Sequence, residues 1–229
     1  MSAGRLGLPP GIAACLFDLD GVLTDTASVH ATAWRRVFAE AGFALSDDDY
    51  LRYVDGRRRT DGARTFLASR GVEATDEELA VIVETKDLLF IEAIRRDGVR
   101  RYDASIAYLR AVAEAGLRRA VVSASRHCAE VIETIGIASL FEVRVDGIVA
   151  AERGLHGKPE PDTYLYAAEL LDCEPAACAV FEDALSGVEA GRAGGFGWVV
   201  GVARAAAPAE LLARGADVAV ADLGELSSS

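Results

Sequence analysis

The sequence predicts an α/β protein: a parallel sheet flanked by helices, with an all-helical unit inserted into it. Three observations carry this expectation. Short apolar runs recur along the chain with helix-period patterns between them, which is how strand–helix–strand repetition reads in sequence. The first run, Ile12 to Phe17, stops at two carboxylates, Asp18 and Asp20, and then Gly21. From Thr26 to about Asp97 there are four helical patterns and no strand pattern.

The first strand is apolar up to Phe17, as a central parallel strand buried on both faces should be. In the insert, His30 to Ala41 reads as a helix stopped by Gly42, and Asp47 to Val54 as a short one. Asp61 to Ser69 is a third, ended by Arg70-Gly71. Asp76 to Arg96 is long and amphipathic, opened by the capping box Thr75-Asp76-Glu77-Glu78. After the insert, Asp103 is an N-cap candidate for a helix with Ile106, Leu109, Val112 and Ala113 on one face, stopping at Gly116. The second strand spans Arg119 to Ser123. Val131, Ile132 and Ile135 mark a helix ended by Gly136; Tyr164, Leu165, Ala168 and Leu171 mark another after Pro161-Asp162. Ala177 to Glu182, Gly197 to Gly201 and Asp217 to Val220 complete the strands. Right-handed crossovers then give a Rossmann-like core from residues 1–25 and 98–229, with residues 26–97 as a helical cap over the mouth of the sheet.

A formal net charge of -12 disfavours nucleic acid as a partner and suits a divalent cation. The four cysteines lack C-x-x-C spacing and read as reduced structural thiols. No apolar stretch approaches the length of a membrane span, and Met1 to Gly11 lacks a signal-peptide apolar region. The expectation is a cytoplasmic monomer without nucleic-acid or membrane partners.

Residues i and i+2 of a strand point the same way, so Asp18 and Asp20 can converge where the first strand ends. Two like charges held there are costly unless a cation or a shared proton relieves them. In a parallel sheet every strand delivers its C-terminal end to one edge, where ligands bind. Ser123, Glu182 and Asp183 lie at or just past such ends, and Lys158 sits in Gly157-Lys158-Pro159-Glu160-Pro161. Carboxylates from two strands suit Mg²⁺, and a lysine with a hydroxyl suits phosphoryl oxygens. One carboxylate is then available to attack phosphorus and the other to move protons.

These motifs, in this order and spacing, resemble the haloacid dehalogenase superfamily of phosphotransferases: Asp18-Leu19-Asp20-Gly21-Val22, Ser123, Lys158 and Glu182-Asp183. The resemblance extends to the β-phosphoglucomutase branch, whose helical cap follows the first motif. Thr26, His30 and Trp34 fall at i, i+4 and i+8 on one helix face. Gly56-Arg57-Arg58-Arg59 looks like that branch's cap loop, Lys86 matches a cap lysine, and Ser123-Ala124-Ser125 matches its S-A-S; Arg126-His127 stands where a Lys-Asn pair is common. By spacing alone, His30 and Trp34 fit a packed insert core equally well. The arginine run and Lys86 also fit solvated surface.

The resemblance implies roles. Asp18 is the nucleophile and Asp20 the general acid and base. Asp18, the Asp20 carbonyl, Glu182 and Asp183 hold Mg²⁺. Ser123 and Lys158 bind the transferring phosphoryl group. Arg59, Ser125, Arg126 and His127 grip a distal phosphate, with Gly56 and Ala124 beside them, and Thr26, His30, Trp34 and Lys86 line the cap side. The implied activity is conversion of β-D-glucose 1-phosphate to glucose 6-phosphate through a phospho-aspartate and a sugar bisphosphate. The alternative is a phosphatase acting on a sugar phosphate or another small phosphate ester.

Overall fold

The computed structural model describes residues 6–228. The chain first lays down β1 (Ala14–Phe17), buried at every position. It then enters the insert: α1 (Thr26–Glu40), α2 (Asp47–Asp49), a wide π-type turn (Tyr50–Val54), α3 (Arg59–Ser69) and α4 (Asp76–Asp97). Back in the sheet unit follow α5 (Asp103–Glu114), β2 (Arg118–Val122), α6 (Cys128–Thr134), β3 (Val143–Val145), α7 (Gly147–Arg153) and α8 (Asp162–Leu170). The chain ends with β4 (Cys178–Glu182), α9 (Leu185–Ala193), β5 (Trp198–Val202), α10 (Pro208–Ala213) and β6 (Val218–Val220).

The six strands pair in the order β3-β2-β1-β4-β5-β6, and every pairing is parallel. From β1 the chain builds outward on one side through β2 and β3, and then on the other through β4 to β6. The reversal leaves a crevice where β1 and β4 end, the place an open α/β sheet offers to a ligand. Alternate residues of β1 feed opposite faces: Cys15 and Phe17 pack into one apolar cluster, Ala14 and Leu16 into the other. On the first face Phe17 stacks on Phe181 of β4 with ring centroids 4.5 Å apart.

The insert has its own apolar cluster, built on Trp34, Phe38, Tyr50, Phe66 and Leu79. Its long helix keeps the capping box read from the sequence: Thr75 Oγ1 accepts from the Glu78 amide at 3.2 Å, and Glu78 Oε2 accepts from the Thr75 amide at 2.8 Å. The two chain crossings between insert and sheet run side by side. The Asp25 amide donates to the Arg100 carbonyl at 2.9 Å, and the Tyr102 amide to the Leu23 carbonyl at 3.0 Å.

Several local expectations need correction. Five strands were expected and six are present among the described residues; the additional one, β3, has only three residues with Arg144 exposed at its centre, too short for an apolar run. α1 begins at Thr26 rather than His30, and α3 at Arg59 rather than Asp61. Asp103 is the first helical residue of α5; Tyr102 holds the cap position without a side-chain bond. α7, α9 and α10 lie in stretches for which no helix was expected. Among the described residues no helix is long and apolar enough to cross a membrane, and Cys15, Cys128, Cys173 and Cys178 are free thiols.

Candidate active site

The acidic residues sit where β1 and β4 end, next to each other in the sheet. The Asp18 amide donates to the Phe181 carbonyl at 3.0 Å, which extends the β1–β4 register one residue past the strand. Asp18, Glu182 and Asp183 each bring a carboxylate oxygen within 4.8 Å of the others, and all three are buried. Gly21 has φ +92°, and a Cβ there would sit 1.8 Å from Asp183 Oδ2. Only a residue without a side chain lets the loop pass so close to that carboxylate.

Lys158 is the buried counter-charge. Its Nζ donates to Asp18 Oδ1 at 2.5 Å and also to Glu182 Oε1. Glu182 Oε1 accepts from the Tyr164 hydroxyl as well, at 2.7 Å. Burial opposes the charge on Lys158, but Asp18 and Glu182 outweigh it and hold the ammonium protonated. One cation does not balance three carboxylates. Burial first, then the neighbouring carboxylates, pushes Asp18 and Asp183 well above the usual carboxylate range. A buried, all-oxygen donor set with surplus negative charge fits a hard divalent cation such as Mg²⁺.

Asp20 is held differently. Its Oδ1 accepts from Thr26 Oγ1 at 2.5 Å and its Oδ2 from Ser123 Oγ at 3.0 Å. Burial works against ionisation of Asp20, yet His30, Thr26 and Ser123 together outweigh it and keep the carboxyl well below its ordinary pKa. The His30 ring stacks on Phe90 at 3.8 Å; burial, then Lys86, lowers its pKa to about 4. The imidazole is therefore neutral at pH 7. Its Nδ1 takes a bond from Lys86 Nζ at 2.6 Å, which leaves the proton on Nε2, 3.4 Å from Asp20 Oδ1. Burial lowers Lys86 to about 7.

Insert and core close over a cavity of about 60 Å³. Asp18, Asp20, His30, Trp34, Gly56, Arg59, Lys86, Ala124, Ser125, Arg126 and Asp183 line it, all named by the sequence. Ser123 and Lys158 lie just behind, in a small adjoining recess. Trp34 serves both readings open to it: it lines the cavity and is packed in the insert cluster. Arg59 forms an ion pair with Asp87 of α4. His127 turns toward the insert, its ring 5.7 Å from Phe90 and its Nε2 3.9 Å from Asp87.

Four residues at the site were not singled out. Asp55 and Tyr50, from the wide turn, line the cavity, as does Asp87; Tyr164 was read only as part of a helix face. Asp55 and Asp87 are sequence neighbours of Gly56 and Lys86, and that adjacency was the available signal. Burial pushes Asp55 up to about 7.

A model of the haloacid dehalogenase-like hydrolases matches residues 12–195. A "Beta-phosphoglucomutase" of Mycobacterium bovis is 46% identical, over 96% of this chain and 94% of the relative. "Hexitol phosphatase A" of Escherichia coli is 35% identical, over 79% of this chain and 78% of that one. Among solved structures, a β-phosphoglucomutase from Clostridium difficile superposes with TM-score 0.81 at 26% identity, covering 94% of this chain and 93% of the other. With the strand-end carboxylates, Ser123 and Lys158 gathered beneath a helical insert, these matches make the chain a member of the haloacid dehalogenase-like hydrolase family.

Proposed function

We propose that the chain is a β-phosphoglucomutase, interconverting β-D-glucose 1-phosphate and glucose 6-phosphate through a phosphorylated Asp18 and an enzyme-bound glucose bisphosphate. The observation that carries this is the arrangement of two anion-binding groups on one cavity. Asp18, Ser123 and Lys158 form one group at the strand ends, and Arg59 from the insert and Arg126 from the loop after β2 form the other, with Asp18, Arg59 and Arg126 all lining the cavity. A mutase must hold one phosphate while the other is transferred, and then exchange them. The likeness to β-phosphoglucomutases over nearly the whole chain supports the same reading. The free thiols and the lack of a spanning helix among the described residues support a cytoplasmic location.

In this reading Asp18 attacks phosphorus, while Lys158 and the Ser123 hydroxyl hold the equatorial oxygens of the transferring group. Mg²⁺ would be held by Asp18, Asp183, Glu182 and the Asp20 carbonyl, and would supply charge neutralisation between nucleophile and phosphate. Asp20 takes the proton of the sugar hydroxyl that receives the phosphoryl group, and returns one in the reverse half-reaction. The lowered pKa of Asp20 favours the ionised carboxylate, which is the base form. Thr26 and Ser123 each take one lone pair of its two oxygens, which orients the carboxylate and leaves further acceptor capacity for the sugar hydroxyl. The insert acts as the cap: closing it excludes water, which would otherwise take the phosphoryl group from Asp18.

The deciding experiment offers β-glucose 1-phosphate with Mg²⁺ and a bisphosphate primer, and follows glucose 6-phosphate against free phosphate. Formation of glucose 6-phosphate supports the mutase; release of phosphate alone assigns the chain to the phosphatases. Arg59→Ala is expected to lower mutase turnover by about 10²-fold or more, since one charge-assisted donor is worth that much in a dry site. Its effect on hydrolysis of a small aryl phosphate, which has no distal phosphate, should be at least tenfold smaller by the same reasoning, roughly. Equal losses argue against the distal-phosphate role.

Metal binding is read without turnover. Saturating Mg²⁺ should raise the melting temperature by several degrees: about 2.7 kcal/mol is gained at a hundredfold excess over Kd, and each kcal/mol shifts a chain of this size by about 2–4 °C. Asp183→Asn should abolish that shift. A full shift in the variant removes Asp183 from the cation site.

A further inference from the structure

We propose that Asp55, beside Tyr50 at the end of the wide turn, reads a ring hydroxyl of the substrate and so sets which sugar the site accepts. The inference rests on the reading of the cavity as a phosphate-ester site and adds the element that recognises the rest of the molecule.

The local backbone is unusual. Between α2 and α3 the chain widens into the π-type turn, closed by the Asp55 amide donating to the Tyr50 carbonyl at 2.9 Å. Such turns interrupt helices mostly at functional sites, because the extra residue re-aims its neighbours. Here it brings two residues five apart to one wall of the cavity. The Tyr50 hydroxyl lies beside the Asp55 carboxyl and helps to offset the cost of its ionisation, and the two residues are 7% and 8% exposed. The segment is also pinned from the core side: the Asp55 carbonyl accepts from Ser186 Oγ at 2.7 Å. Gly56 has φ +69°, and a Cβ there would sit 2.5 Å from Ser186 Oγ and 2.7 Å from Ala184 Cβ. The docked loop therefore holds the Asp55 side chain at a fixed place over the core carboxylates.

Its lack of a counter-charge is the informative part. Asp55 forms no ion pair among the described residues. The acidic groups near it are Asp183, Glu182 and Asp20, and Lys158, the nearby cation, is already bonded to Asp18 and Glu182. Asp55 is not one of the three carboxylates that could share a cation. An acidic side chain facing a cavity for a phosphate ester repels that ligand. A site built only to grip phosphate gains nothing from it. A carboxyl in that place is useful against neutral hydroxyls, for which it is the strongest hydrogen-bond acceptor among the side chains. The pinned backbone, with Tyr50 beside the carboxyl, makes the recognition directional.

The test is a cycle of enzyme variants against substrate analogues. kcat/KM is measured for β-glucose 1-phosphate and its monodeoxy analogues at carbons two, three and four, with wild type, Asp55→Asn and Tyr50→Phe. Turnover is followed as isomerised ester plus free phosphate, so the cycle is readable even if the chain proves to be a phosphatase. One deoxy analogue should cost the wild type about 10²-fold, as expected when a site built to bond a hydroxyl loses it. Asp55→Asn should lose a similar factor on the parent sugar, and lose less than about 3-fold more when that same hydroxyl is removed. Tyr50→Phe, which keeps the carboxyl but frees it, should show the same selectivity in weaker form, and reports alone if Asp55→Asn does not fold. If the variants and the wild type pay the same factor for every deoxy analogue, Asp55 does not contact the sugar and the proposal fails.

Discussion

Asp18→Asn is expected to abolish turnover of every phosphate ester while leaving the fold intact. A catalytic nucleophile has no substitute in its site, and losing one lowers kcat by about 10⁴-fold or more. The amide keeps the shape of the carboxylate and its place beside Lys158. Electrostatically the variant is relieved: Lys158 then faces Glu182 alone in a charge-balanced pair. In metal-free buffer its melting temperature should equal or exceed that of the wild type. Wild type incubated with a bisphosphate should carry an acid-stable, base-labile phosphoryl group, detectable by intact mass; the variant should carry none. Residual turnover near the wild-type level would place the nucleophile elsewhere.

Lys158→Met should fail in the opposite way, by losing stability along with activity. Both carboxylates that Lys158 pairs are buried, Glu182 completely. Removing one partner of a buried ion pair costs about 3–5 kcal/mol, because the remaining charge is stranded away from water. For a chain of this length that is a fall of roughly 10 °C in melting temperature. Lowering the pH should narrow the gap. Asp18 has its folded pKa raised, so it takes a proton more readily in the folded state than in the unfolded one. Its unfavourable contribution therefore grows as pH rises from the ordinary carboxylate range toward the folded pKa, and fades as pH falls. A variant that melts with the wild type at neutral pH would show that the pair contributes nothing net.

What was legible in the sequence divides by physical cause. β1, β2 and β4 were readable because strands buried on both faces must be apolar runs. Their catalytic ends were readable because polar residues break those runs abruptly at Asp18, Ser123 and Glu182. β3 escaped because three residues around an exposed Arg144 carry no period. α9 escaped because its glycines, alanines and Ser186 leave little apolar stripe, and α10 because it is six residues long. At the site, residues one turn apart on α1 could be placed together from spacing alone. The Arg59–Asp87 pair could not, since it joins α3 to α4 across a packed interface. Asp55 escaped although it adjoins Gly56: where its side chain goes is set by one widened turn, and a π-type turn leaves no mark in the pattern of polar and apolar residues.

The paired crossings at Leu23–Asp25 and Arg100–Tyr102 bear on how the chain assembles. β1 and β2 are neighbours in the sheet, yet the whole insert separates them in sequence. Closing so long a span in an unstructured chain is slow, because its entropy must be lost before any contact repays it. An insert that folds first, from its own local helices, brings its two ends together and leaves only a short gap to close. The part of the molecule that covers the reaction would thus double as the splint on which the sheet is set, and refolding should slow in step with mutations that loosen the Phe38–Phe66 contact at its heart.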